Sequence, residues 1–114
     1  MNGKWDTIIL TLLEMTREYE TATSWAMTMK LTEEVGELNE VMLHEHGYLQ
    51  YKDKEWKDTP IEEAADILNT VLGMLSKHYP DKTPEEISQE LIGASLKKGK
   101  KYGRILGAEN VFTR

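Results

Sequence analysis

The chain contains no cysteine, which excludes disulfides, thiolate nucleophiles and cysteine-held metals. No apolar run approaches the roughly 20 residues of a membrane-spanning helix, and the N-terminus lacks the pattern of a secretory signal. The expectation is therefore a soluble, cytoplasmic protein without membrane contact. Strand patterns, internal repeats and low-complexity segments are absent as well. Positive charge is scarce: the formal net charge is −6, so a nucleic-acid polymer is not an expected partner. Yet Lys97, Lys98, Lys100, Lys101 and Arg104 crowd one stretch that has no acid, which leaves the remainder more acidic than the total suggests. At 114 residues the chain allows one domain with a modest core.

What is present is helical periodicity. Trp5, Ile8, Ile9, Leu12, Leu13 and Thr16 recur at three and four residues and predict a first helix to about Tyr19, with Asp6 or Thr7 as its cap. Thr21 to Ser24 form a break, and Ser24 is placed to cap a second helix reaching His46, with Gly47 ending it in a left-handed turn. Residues 48 to 58 have no clear period and read as a loop. Thr59, Pro60 and Glu62 spell an N-cap, a first-turn proline and a capping-box partner, opening a third helix to about His78. Thr83, Pro84 and Glu86 repeat that signal for a fourth, which either ends at Gly99 or continues past it. The prediction is an all-α, four-helix-bundle-like domain over residues 1–106, with a loosely attached tail over 107–114. The third helix is so apolar that oligomerisation would complete its cover. Met27, Met29, Met42 and Met74 are assigned to the core.

Two segments carry acids where a core face belongs. At about 100° per residue, Leu31, Val35, Leu38, Val41 and Met42 gather on one side of the second helix, with Glu34 inside that arc and Glu37 at its edge. Between Ala64 and Ser76 the one charged residue is Asp66. Glu34 and Glu37 are three apart, as are Glu63 and Asp66, so each pair shares a helix side. On two packed antiparallel helices the four carboxylates would converge. Carboxylates against a core repel one another and lose hydration unless a cation compensates. Oxygen-only ligands suit Mg²⁺, for which Mn²⁺ can substitute. The plain alternative is that helical acids are solvated surface groups.

Glu33-Glu34-x-x-Glu37 followed by Glu63-x-x-Asp66, with Leu31, Gly36, Leu38 and the Ala64-Ala65 pair, resembles the EExxE…ExxD signature of the MazG-like, all-α nucleotide pyrophosphohydrolases. The resemblance covers Lys30 to Ser76 in detail and the basic end more loosely. It implies a MazG-type fold, assembled as a homodimer or homotetramer. It also implies Mg²⁺-dependent hydrolysis of nucleoside triphosphates between the α and β phosphates, giving a monophosphate and pyrophosphate. By the same resemblance Glu34, Glu37, Glu63 and Asp66 are metal ligands, and Glu33 orients water from outside the cluster. Phosphoribosyl-ATP pyrophosphohydrolases share this carboxylate logic but carry an aromatic-His pair where this chain has Asn69-Thr70. Dimeric dUTPases are also kin, so dUTP or dCTP are alternative substrates. A non-catalytic helical adaptor or nucleotide-binding module is the alternative from another class.

Other residues are candidate substrate contacts. Lys97, Lys101 and Arg104 are placed to grip phosphate, although lysines at a helix end also complement its dipole. Tyr102 joins them through the family's loose K…Y…R ending. Lys30, one turn before Glu34, pairs with it or touches phosphate. Trp25 and Trp56 are candidates to stack a base, against the commoner role of tryptophan in a core. Asn69, one turn beyond Asp66, could bond a base or sugar. His44 and His46 diverge on a helix and read as its end.

Overall fold

The computed structural model describes residues 3–47 and 58–105. It is all-helical, with α1 at Lys4–Tyr19, α2 at Ser24–Glu45, α3 at Pro60–His78 and α4 at Pro84–Ile105, and no strand among the described residues. None of these helices is long and apolar enough to cross a membrane. The expected loop over 48–58, apart from Asp58, and the expected tail over 107–114 lie outside the described residues.

The starts of α3 and α4 follow the sequence signals. Thr59 Oγ1 accepts from the Glu62 amide at 3.2 Å while the Thr59 amide donates to Glu62 Oε1 at 3.2 Å. Thr83 and Glu86 make the same reciprocal pair at 3.1 and 3.0 Å. Each box satisfies two amides that the first turn leaves without a helical partner. The starts of α1 and α2 differ from expectation by one position or more. The N-cap of α1 is Gly3, and Asp6 sits in the first turn, where Oδ2 accepts the Gly3 amide at 3.2 Å. The N-cap of α2 is Thr23 rather than Ser24, its hydroxyl taking the Ala26 amide at 3.1 Å. A cap must keep an extended backbone, which Thr23 has and a helical Ser24 does not. Gly47, at φ +79°, ends α2 as predicted. α4 runs through Gly99 without a break.

α3 is the central element. It packs against α1, α2 and α4, whereas α2 touches α3 alone among the described residues. The core is Ile9 and Leu13 of α1, Leu72 of α3 and Ile87 of α4, with Leu12, Leu75, Leu91 and Ile92 around it. At Gly73 an added Cβ would overlap the Met27 Cε methyl and lie 3.6 Å from Thr16 Cβ, so the missing side chain is what lets both neighbours close on α3. Arg17, in the last turn of α1, donates to the carbonyls of Ser76, Tyr79 and Lys82 at 2.9, 3.0 and 2.7 Å. One guanidinium thus satisfies the end of α3 and the turn into α4.

α3 is buried at Thr70, Leu72, Gly73 and Ser76 and, in its first turn, at Glu63, while Ile61, Ala64, Ala65 and Leu68 stay exposed, so the other described helices leave part of this apolar helix uncovered. One expectation about burial needs correction. Of the four methionines assigned to the core, Met27 is buried and Met74 half-buried, but Met29 and Met42 are exposed. α2 has one neighbour, so its remaining circumference, Trp25, Met29, Val35, Met42 and Leu43 included, faces outward.

Candidate metal centre

The acids meet where α2 lies along α3. Met27 of α2 faces Gly73 of α3, Glu34 interacts with Asp66, and Glu37 interacts with Glu63. Numbers rise along one helix as they fall along the other, so the pair is antiparallel. That register turns two sequence pairs, each three residues apart, into one facing set.

The convergence takes the form of two overlapping groups. Carboxylate oxygens of Glu34, Glu37 and Glu63 lie within 4.8 Å of one another, and those of Asp58, Glu63 and Asp66 do the same. Glu63 belongs to both. The single focus expected for four acids is thus a double one hinged on Glu63, and it has a fifth member. Asp58 falls in a charged stretch that reads as loop. It precedes the capping box of α3, and that box holds it against the first turn carrying Glu63. An acid immediately before a Thr-Pro helix start was the available signal.

Glu63 is the decisive member. It is 6% exposed, and its Oε2 has no hydrogen-bond partner. Burial, the neighbouring charges of Glu37, Asp58 and Asp66, and a hydrogen bond with Glu37 push its carboxyl up to about 7. Its first-turn position on α3 offsets only part of that cost through the helix dipole. Glu34 is half-buried, and its Oε2 is likewise buried and unpartnered. Its carboxyl is raised by burial and by Asp66, Glu37 and Glu33, against which Lys30 pulls it down. Buried carboxylate oxygens without donors are costly in a native fold and point to a cation.

The donors fit such an ion. Every ligand atom is a carboxylate oxygen, the choice of Mg²⁺ and Mn²⁺. The oxygens of each group lie within 4.8 Å of one another, close enough for one small divalent cation to be shared among them.

No family model, curated protein or solved structure matches this chain. The case for the site therefore rests on its geometry.

The other residues singled out from sequence are distributed unevenly. Glu33 is exposed, beside the cluster but outside both groups. Lys30 and Asn69 are exposed one turn beyond the acids, on the same end of the α2–α3 pair. Trp25 is 74% exposed near the start of α2, which removes it from any core in this chain. Lys97 and Lys101 stand on the exposed end of α4, a helix that packs on α1 and α3 rather than on α2. Tyr102 and Arg104 lie on α4 by backbone, with side chains outside the described set, and Trp56 lies outside the described residues altogether.

Proposed function

We propose that this chain is a Mg²⁺-dependent nucleoside triphosphate pyrophosphohydrolase. The observation that carries the reading is the buried, unpartnered Glu63 carboxylate oxygen at the crossing of two carboxylate groups. The order Glu33-Glu34-x-x-Glu37…Glu63-x-x-Asp66, which resembles the MazG-like signature, supplies the reaction class.

In this reading Glu34, Glu37, Glu63 and Asp66 hold the metal, and Asp58 completes the group on the far side of Glu63. Bound Mg²⁺ supplies charge neutralisation at the phosphates and a lowered pKa for a nearby water. Lys30 meets phosphate charge, and Asn69, at the same end, bonds the sugar or base. Glu33 orients the water from the exposed rim. Water adds across the α–β anhydride, and the products are a nucleoside monophosphate and pyrophosphate. The enzyme is assigned to the cytoplasm.

The test is pyrophosphate release from a panel of ribo-, deoxy- and oxidised nucleoside triphosphates, with Mg²⁺ and with EDTA. Metal-dependent release is expected, with turnover lost by at least about a hundredfold in Glu34→Gln and Asp66→Asn, whose helicity should match the parent. Full activity in both variants would remove the site assignment. No release from any nucleotide, in folded protein, would remove the reaction.

A further inference from the structure

α1 and α4 enclose a groove that the α2–α3 site does not use. Arg17, in the last turn of α1, donates to the carbonyl of Lys82 just before α4 begins, so α4 runs back along α1 in the opposite sense. The groove between them holds about 790 Å³, within the roughly 300–1,000 Å³ of small-molecule sites. Leu10 of α1 and Ile92 and Leu96 of α4 give it an apolar floor. Asp6, Glu14 and Glu85 supply three carboxylates, and no lysine or arginine lines it among the described residues. The cations at the start of α4 are engaged elsewhere, Arg17 on three carbonyls and Lys82 on Glu90 at 2.7 Å.

Two polar groups of the groove lack partners. Ser88 is 4% exposed, lines the groove and makes no hydrogen bond through its hydroxyl among the described residues. A buried hydroxyl in that state costs stability unless a further group meets it. Asp6 Oδ2 accepts the Gly3 amide at 3.2 Å, which fixes the carboxylate, while Oδ1 is buried with no partner. Thr11, on the same wall, is different: it spends its hydroxyl on the Thr7 carbonyl at 2.7 Å.

The placement of the acids selects the ligand. With the helices antiparallel, Glu14 and Glu85 lie toward one end of the groove and Asp6 toward the other. Asp6 and Glu14 are separated by about 12 Å along α1 at 1.5 Å per residue. They are too far apart to share one metal ion, and the three groove acids form no ligand group of the kind found between α2 and α3. A cation with an apolar body and charges at a distance from one another answers each feature: ammonium groups meet the separated acids, and methylenes cover the floor between them. The span is that of an extended aliphatic triamine.

We propose that the α1–α4 groove binds a linear aliphatic polyamine. One ammonium group sits at Asp6 and another at the Glu14–Glu85 end, with the methylenes on Leu10 and Ile92. The Ser88 hydroxyl accepts from an ammonium N–H. The site is separate from the α2–α3 carboxylates and does not depend on the reaction assigned above.

Isothermal titration calorimetry with spermidine, in about 0.15 M salt to screen diffuse attraction, tests it. The parent is expected to bind one spermidine per chain and to saturate below about 1 mM. Butylamine, with a single charge, should bind at least about tenfold more weakly, because only linked ammonium groups reach both ends at once. Asp6→Asn and Glu85→Gln should each weaken spermidine roughly tenfold. Gly93→Leu should block binding while leaving helicity intact, since open space lies beyond that Cβ position in the groove wall and leucine favours helix. Glu34→Gln should bind spermidine as the parent does. No saturation by about 1 mM overturns the proposal, and so does butylamine binding as tightly as spermidine. Affinity that falls in Glu34→Gln but not in the three groove variants also overturns it, because the cation would then sit between α2 and α3.

Discussion

Raising the pH of the metal-free protein from about 5 to about 8 perturbs Glu63 most directly. In the unfolded chain this carboxyl titrates near 4.5, and in the folded chain near 7. Below the lower value both states hold the proton and nothing is lost. Between the two, the folded state keeps a proton that the unfolded state has released, so stability falls as pH rises and levels off above about 7. The full displacement corresponds to at most roughly 3 kcal/mol. Glu37 and Asp66 are exposed, so solvent and salt screen their share and leave about 1–2 kcal/mol to observe. Glu34 acts in the same direction. Glu86, whose carboxyl is lowered by its hydrogen bonds with Thr83, loses its contribution only as the solution is acidified further. For a chain of this size the loss is a fall in melting temperature of about 4–8 °C. Adding Mg²⁺ at 10 to 100 times its dissociation constant should return roughly 1.4–2.7 kcal/mol. The gain should be larger at the higher pH, because the ligands must be ionised to bind. Glu63→Gln should remove most of the pH slope, leaving the share of Glu34, and should weaken the Mg²⁺ response; it should melt above the metal-free parent at the higher pH. Thermal denaturation followed by circular dichroism reads all of this. A melting temperature that is flat or rises over that interval without metal, or that ignores Mg²⁺ at the higher pH, would refute the argument from the buried carboxylate.

Two further outcomes test the scaffold. Arg17→Met keeps the length of the side chain but removes three charged hydrogen bonds to the carbonyls of Ser76, Tyr79 and Lys82, and should cost about 2–3 kcal/mol in urea denaturation. A cost below about 0.5 kcal/mol would mean that water replaces the guanidinium freely. Leu72→Ala empties a fully buried position at the centre of the core and should lose about 2–5 kcal/mol by the same measurement.

The helices were legible because their signals are local. Thr59-Pro60-x-Glu62 and Thr83-Pro84-x-Glu86 each specify a start within four residues, and both boxes formed. Glu34 and Glu63 were legible as misplaced acids because a charge on an apolar stripe breaks the helical period at one residue. Asp58 was not, since its place depends on how the chain enters α3, and a residue outside any period carries no such mark. Met29 and Met42 were misjudged for a related reason. An apolar residue on a helix reports that the surface is fit to be covered, while the number of neighbours decides whether it is, and α2 has one. Asp6 and Ser24 show the limit at helix ends, where several polar residues in a row can each serve as cap and backbone extension chooses among them.

The unequal anchoring of α2 and α3 also bears on how the site comes apart. α3 is held by three helices and by Arg17, so it opens only with the whole fold. α2 touches α3 alone among the described residues, so loss of that one surface, the most extensive between described helices, detaches it as a cooperative segment. Such an excursion carries Glu34 and Glu37 away from Glu63 together while Asp58, Glu63 and Asp66 stay in place. Amide exchange along α2 would then be the slow clock of site assembly, and whatever cation bridges the two helices would act as the latch on that clock.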